Sequence, residues 1–354
     1  CYMALIQRSI TVPNHAELMG FGGTPSQISL NNFIKDINQV MIDTGISVLD
    51  VPGDIDFDNI PDLLIASKAR ETDIPRNVFF SAGYKYYAFN DDNQSEYPIF
   101  IKFDFGVQCV SNINEPNLLY TTIKLDILRS LDPEDKIYDS NHLMYTFIYY
   151  SSSYPSKNLE IFNSNVATCF YNKENFYFNV FPKSRVIAWQ PSTILNQCKL
   201  SPYMAFYIER NRNTTNYMHL SYGKYVAGNS SIVNLQNSQR EVIINNILNN
   251  TAFIQTNTTV TIPLMGFVDT LSNNYEIGGI NAIAFKTILY DKSSKSIEPN
   301  YNILCAYSSQ IGQSNVKYEI ELEDGSIGKY ISYSPVDSVN YFPDTKTDFL
   351  FRYE

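Results

Sequence analysis

The chain has 354 residues, enough for one large or two ordinary domains whose cores need no disulfide staples. Hydrophobic residues at 44% and charged residues at 18% belong to a folded globular protein and exclude the disordered class. A formal net charge of −10, with Lys and Arg scattered, disfavours direct nucleic-acid binding and docking on anionic membranes, which both draw on clustered cations.

The aromatic balance is lopsided: 27 Tyr and 22 Phe against 1 Trp and 3 His. Tyr and Phe suit a pleated, half-buried surface, so this balance favours sheets. No segment reaches the ~20 consecutive apolar residues of a membrane-spanning helix, and no secretory signal is expected.

Taken in chain order, Gly20-Phe21-Gly22-Gly23-Thr24-Pro25 forms a flexible lead-in loop. It could suggest a phosphate cradle, but it lacks a preceding buried strand and a P-loop lysine. The first element is an amphipathic helix over residues 30–44. Leu30, Phe33, Ile34, Ile37 and Met41 make one apolar stripe, with Ser29 as N-cap and Gly45 as a left-handed stop. A short strand, Ile46 to Leu49, leads into an acidic loop from Asp50 to Asp62.

Strands then dominate. The first half offers Leu63–Ala66, Val78–Ser81, Tyr84–Phe89, Ile99–Phe105, Leu119–Leu128 and Leu143–Tyr150. The second half offers Phe176–Phe181, Arg185–Trp189, Met204–Glu209, Ala252–Ile262, Ala282–Tyr290, Ile303–Ser308 and Val316–Glu323. Residues 229–250 break the rhythm and read as a polar loop followed by a short helix. At the C-terminus, Tyr318–Glu323 and Ile327–Tyr333 flank Asp324-Gly325, a hairpin signal. Phe349, Phe351 and Tyr353 alternate in a last strand.

This pattern predicts a mainly β fold of antiparallel sheets, sandwich-like, with one early helix packed on a sheet. The loop near Asp132–Asp139 is the best boundary, dividing an α+β domain (1–135) from a β-rich one (136–354), with one continuous domain as the alternative.

The residues that could carry chemistry are few. Asp50, Asp54, Asp56, Asp58 and Asp62 have a D-x-D-x-D rhythm, without the turn glycine or downstream Glu of an EF-hand. A hard cation on the shared face of Asp54, Asp56 and Asp58 is the sharper reading; a solvated acidic turn is the one adopted. Asp91, Asp92 and Glu96 read as a hairpin tip.

His15, His142 and His219 sit in no zinc-binding frame, and Cys1, Cys109, Cys169, Cys198 and Cys305 have no metal-ligand spacing. The cysteines read as buried free thiols, with a Cys169–Cys198 disulfide as the alternative. The N-x-S/T triplets at Asn93, Asn213, Asn229, Asn249 and Asn257 read as chance products of an Asn-rich chain. No catalytic residue, metal ligand, cofactor or cofactor-binding residue is assigned.

The order of elements is similar to that of virion structural proteins of large tailed bacteriophages, especially of tails and baseplates. The residues that carry it are Leu30–Met41, then Thr44-Gly45-Ile46-Ser47-Val48-Leu49 and Tyr97-Pro98-Ile99-Phe100-Ile101-Lys102-Phe103. Asn175–Ile187 follows, with Ser201-Pro202-Tyr203-Met204 after it, and the likeness extends over about half of the chain. It implies a non-enzymatic assembly part of a tail, baseplate or fibre-attachment region, made in the host cytoplasm and carried in the particle. Its partners would be other virion subunits and copies of itself.

An extracellular carbohydrate-binding or carbohydrate-cleaving β protein is the alternative. A hydrolytic carboxylate pair is available in any acidic chain, and Tyr would replace the sugar-stacking Trp, of which only Trp189 is present.

Overall fold

The computed structural model describes residues 5–13, 17–18, 26–64, 78–96, 98–112, 115–134, 136–138, 144–146, 164–173, 175–182, 204–210, 217–223, 245–246, 274–277, 280–290, 297–307, 314–322, 324–333 and 347–354. These residues form three antiparallel sheets and one long helix, the mainly β architecture that the alternating aromatics predict.

Strand β1 (Ile6–Thr11) precedes helix α1 (Gln27–Asp43). The apolar stripe of α1 is fully inside: Leu30, Phe33, Ile34, Ile37, Val40 and Met41 are all buried. Burying a side chain such as Phe33 contributes about 2–3 kcal/mol. The helix starts earlier than its apolar stripe does. Ser26, not Ser29, is the N-cap: its hydroxyl accepts the Ser29 N–H at 3.3 Å. Reading the start from the first apolar residue of the stripe misses this polar turn, where Ile28 is exposed. Gly45 does stop the helix, at φ +78°, with its N–H on the Ile42 carbonyl at 3.0 Å.

The first sheet runs β2 (Ser47–Leu49), β3 (Val78–Ala88), β4 (Phe100–Asn112), β5 (Glu115–Leu128) and β6 (Lys136–Tyr138), with β7 (Met144–Thr146) also pairing β5. Strict alternation builds it. Ile101, Phe103, Phe105, Val107 and Cys109 face the core, while Lys102 and Asp104 face the other way.

The strands predicted at Val78–Ser81 and Tyr84–Phe89 are one bulged strand. The register slips between Ser81 and Gly83, and Gly83 has φ +126°. A Cβ there would lie 2.9 Å from Ile55 Cβ, so glycine lets the acidic loop close on the sheet. Gly106 is tighter still, because a Cβ there would run into the Phe80 carbonyl oxygen.

The second sheet has the order β1, β8 (Ser164–Tyr171), β9 (Asn175–Pro182), β10 (Met204–Arg210), β11 (Tyr217–Gly223) and β12 (Asn245–Asn246). Residues near the start of the chain thus pair with a strand more than a hundred and fifty positions later, Ile6 opposite Cys169.

The third sheet has the order β13 (Asn274–Ile277), β14 (Ile280–Tyr290), β15 (Ile297–Tyr307), β18 (Thr347–Arg352), β17 (Ile327–Tyr333) and β16 (Lys317–Glu321). The C-terminal hairpin forms, and Phe349 and Phe351 lie in β18 as expected. Its turn is looser than a two-residue Asp-Gly turn. Leu322 donates its N–H to the Ser326 carbonyl at 2.7 Å, and among the described turn residues only Gly325 has positive φ, at +79°.

The middle sheet is covered on both faces. Phe103 of the first sheet meets Phe178 edge-on at 5.3 Å. On the opposite face, Tyr177 and Tyr207 stack on Phe351 of the third sheet at 4.6 and 5.1 Å. The helix ties into two sheets: Arg8 of β1 bridges Asp36 at 3.2 Å and Asp43 at 3.7 Å, and the Tyr87 hydroxyl donates to Asn38 Oδ1 at 2.8 Å.

Two expectations fail locally. Leu63 and Leu64 are not in a strand, because Gln27 Oε1 accepts both of their N–H groups at 3.0 and 3.3 Å. Asn245 and Asn246, expected in a short helix, pair as β12 with His219 and Met218, where long-range pairing overrides local pattern. The strands predicted at Arg185–Trp189 and Ala252–Ile262 lie outside the described residues. Among the described residues no helix is long and apolar enough to cross a membrane.

Candidate functional site

The acidic loop is turned inward onto a lysine that its sequence context does not single out. Lys85 lies on the core side of β3, with only 7% of its side chain exposed. Its ammonium donates to Asp50 Oδ1 at 2.7 Å and to Asp54 Oδ2 at 2.5 Å. Burial alone pulls this ammonium down, but the hydrogen bonds and charges of Asp50 and Asp54 outweigh burial and hold Lys85 above its ordinary value. The hydrogen bond and charge of Lys85 hold Asp50 below the usual carboxylate range.

The remaining acids shape the chain. Asp56 accepts from the Asp58 N–H at 2.9 Å and from the Asn59 amide at 2.7 Å, and Asp62 accepts from the Leu64 N–H at 2.9 Å. Such Asx contacts make a turn rather than a cation cage. Among the described residues no group of three His, Cys, Asp or Glu is placed to hold a metal ion. An alternating strand with one lysine on its apolar face was the available signal for Lys85.

The outer face of the first sheet carries a second constellation. Register sets Lys102 opposite both Tyr86 and Asp126, and sets Asp104 opposite both Tyr84 and Lys124. The charges therefore alternate in sign across and along the strands, and the four of them sum to zero.

Their side chains do not simply pair. Lys102 Nζ sits over the Tyr84 ring at 4.6 Å, and Lys124 Nζ sits over the Phe79 ring at 4.1 Å. The Ser81 hydroxyl donates to Asp104 Oδ1. Burial pushes the Asp104 carboxyl up, and the charge of Asp126 adds to this against Ser81, Lys102 and Lys124. Asp126 is 5% exposed, and its Oδ1 has no hydrogen-bond partner among the described residues. This face can make hydrogen bonds and electrostatic contacts, and its lysines each lie over one face of an aromatic ring.

The other candidates disperse. Cys109 and Cys169 are buried free thiols; burial pushes Cys109 up to about 11 and Cys169 well above the ordinary thiol value. Such thiols stay protonated and unreactive. Asp91 and Glu96 lie in the turn between β3 and β4, where the Gln94 N–H meets the Asp91 carbonyl at 3.1 Å. His219 is opposite Ile208 in the second sheet, while His15, His142, Cys198 and the Gly20–Gly23 loop lie outside the described residues.

Compared with protein-family models, with curated proteins and with solved structures, the chain matches none of them.

Proposed function

We propose that this chain is a non-enzymatic structural subunit of a tailed-phage virion, in the tail, baseplate or fibre-attachment region, acting through protein–protein contacts. The observation that carries the reading is the charge lattice on the outer face of the first sheet. Lys102, Asp104, Lys124 and Asp126 cancel one another locally, so a protein partner would meet no single-sign field on this face. The low charge content of the chain and the likeness of its element order to virion proteins support the same reading.

Particles purified from the source should retain the chain through density-gradient sedimentation. Its recovery only in the free soluble fraction would overturn the proposal. The alternative, a carbohydrate-binding or carbohydrate-cleaving protein, needs open aromatic faces, and Lys102 and Lys124 lie over two of them. Binding on a glycan array, or release of reducing sugar, would favour that alternative instead.

A further inference from the structure

The C-terminal hairpin turns on a pair of residues with a chemistry of its own. Of the 15 glycines in the chain, Gly325 alone follows an Asp or an Asn. In such a pair the main-chain nitrogen of the glycine can attack the side-chain carbonyl carbon of the residue before it, since glycine has no Cβ to hinder the approach. The N–Cγ bond forms, the carboxyl hydroxyl leaves as water, and a succinimide ring results. Water then opens the ring at either carbonyl. One opening returns aspartate, and the other gives isoaspartate, whose extra carbon lies in the main chain.

The turn exposes this pair and also ties up both of its reacting groups. Asp324, Gly325 and Ser326 are all exposed, and no described atom lies within 4 Å of where a Gly325 Cβ would stand. Asp324 Oδ1 accepts the Ser326 N–H at 2.9 Å and the Ser326 hydroxyl at 2.6 Å. The Gly325 N–H donates to the Leu322 carbonyl at 2.9 Å. Ring closure must give up these bonds, because it needs a carboxyl that carries a proton and a nitrogen that has lost one. The Ser326 hydroxyl, and after it the Ser326 N–H, hold the Asp324 carboxyl below the usual carboxylate range, so that proton is harder to add.

We propose that Asp324 is the aspartate at which this chain isomerises first, and that Ser326 slows the reaction in the folded state. Isomerisation would put one more carbon into the ring that the Leu322 N–H closes on the Ser326 carbonyl at 2.7 Å. The pairs next to that ring, Glu321 with Ile327 and Ile320 with Gly328, would be the first to lose register. The turn would behave so whether or not the chain belongs to a virion.

The test is to incubate the full chain, folded or in urea, at about pH 6, between the carboxylate range and neutrality, and to map it with trypsin. Cleavage after Lys317 and Lys329 frees residues 318–329, in which Asp324 is the one aspartate. Isoaspartate appears there as a second chromatographic peak of unchanged mass. In urea, Asp324 should isomerise ahead of every other aspartate, and in the folded parent at least about tenfold more slowly, as the turn's hydrogen bonds must be given up. Ser326→Ala should speed the folded chain by about three- to tenfold, while Ser326→Thr, which keeps a hydroxyl, should stay at the parent's rate. In urea all of these chains should react alike, which separates the folded turn from the chemistry of the local sequence. A folded parent that reacts as fast as the chain in urea would overturn the proposal. So would a folded Ser326→Ala chain with the parent's rate, or earlier isomerisation at another aspartate in urea.

Discussion

Two buried charges in the first sheet meet opposite fates. Lys85, on the core side of β3, is held by both Asp50 and Asp54. Asp126, on the outer side of β5, is 5% exposed with Oδ1 unmet among the described residues, although Lys102 stands opposite it in register. Lys102 instead lies over Tyr84. A charge facing a core is retained only with partners in place, because desolvation there costs several kcal/mol. Asp126 lacks that compensation at Oδ1 among the described residues, which leaves it the costlier of the two charges to bury. One buried charge is therefore met by two carboxylates and the other is left partly unmet among the described residues.

The largest penalty falls where a buried charge has no partner at all. Phe33→Asp or Ile37→Asp puts a carboxylate on the fully buried stripe of α1, and either variant should fail to fold in soluble form. Soluble expression with an unchanged melting curve would show that the stripe is not core. Next in size is Lys85→Met, which leaves Asp54 half-enclosed without its cation. It should destabilise by about 3 kcal/mol in urea unfolding, with Asp50 contributing little of this because its side chain is 98% exposed.

Crowding gives a smaller loss. Gly106→Ala drives a methyl against the Phe80 carbonyl and should cost about 2 kcal/mol by the same measurement. Asp126→Asn should change stability by less than about 1 kcal/mol, since Oδ1 has no hydrogen bond to lose among the described residues. Equal losses for Lys85→Met and Asp126→Asn would erase the distinction between the two charges.

The pH dependence divides the same way. Asp50 sits below its ordinary value, so its stabilisation is complete above ~3.9 and is lost as pH falls through the depressed value. Asp104 sits above its ordinary value. The folded state therefore takes up that proton first, and stability from this group rises as pH falls through the raised value. Lys85 is also raised, so its contribution is complete below ~10.4 and disappears as pH climbs through the folded value. Melting temperatures of Asp50→Asn and Asp104→Asn against the parent, between pH 3 and 7 (a span of roughly one to three units about the carboxylate value), should diverge in opposite directions.

Much of the β architecture is legible in the chain because one buried face per strand forces a two-residue alternation. Ile101, Phe103, Phe105 and Val107 show it plainly, as do Phe176, Phe178 and Val180. The α1 stripe is legible for the same reason at helical spacing. The start of α1 is less so, because Ser26 caps a turn that lies ahead of the apolar stripe and leaves no mark in it. Leu63 and Leu64 look like a strand, but a glutamine 36 positions before Leu63 captures its N–H, a contact no local pattern encodes.

Composition and spacings of two to four residues are enough to make the chain β-rich, sparingly charged and aromatic, with an acidic stretch from Asp50 to Asp62. What those acids do is a property of the fold, because Lys85 is 31 positions from Asp54 and reaches it through a strand and a bulge. Burial of the middle sheet on both faces is likewise tertiary, since Tyr177 looks the same in sequence whether it meets solvent or Phe351. How far β2 runs along β3 is tertiary too, because pairing across a sheet is set by register between distant segments rather than by the residues of any one of them.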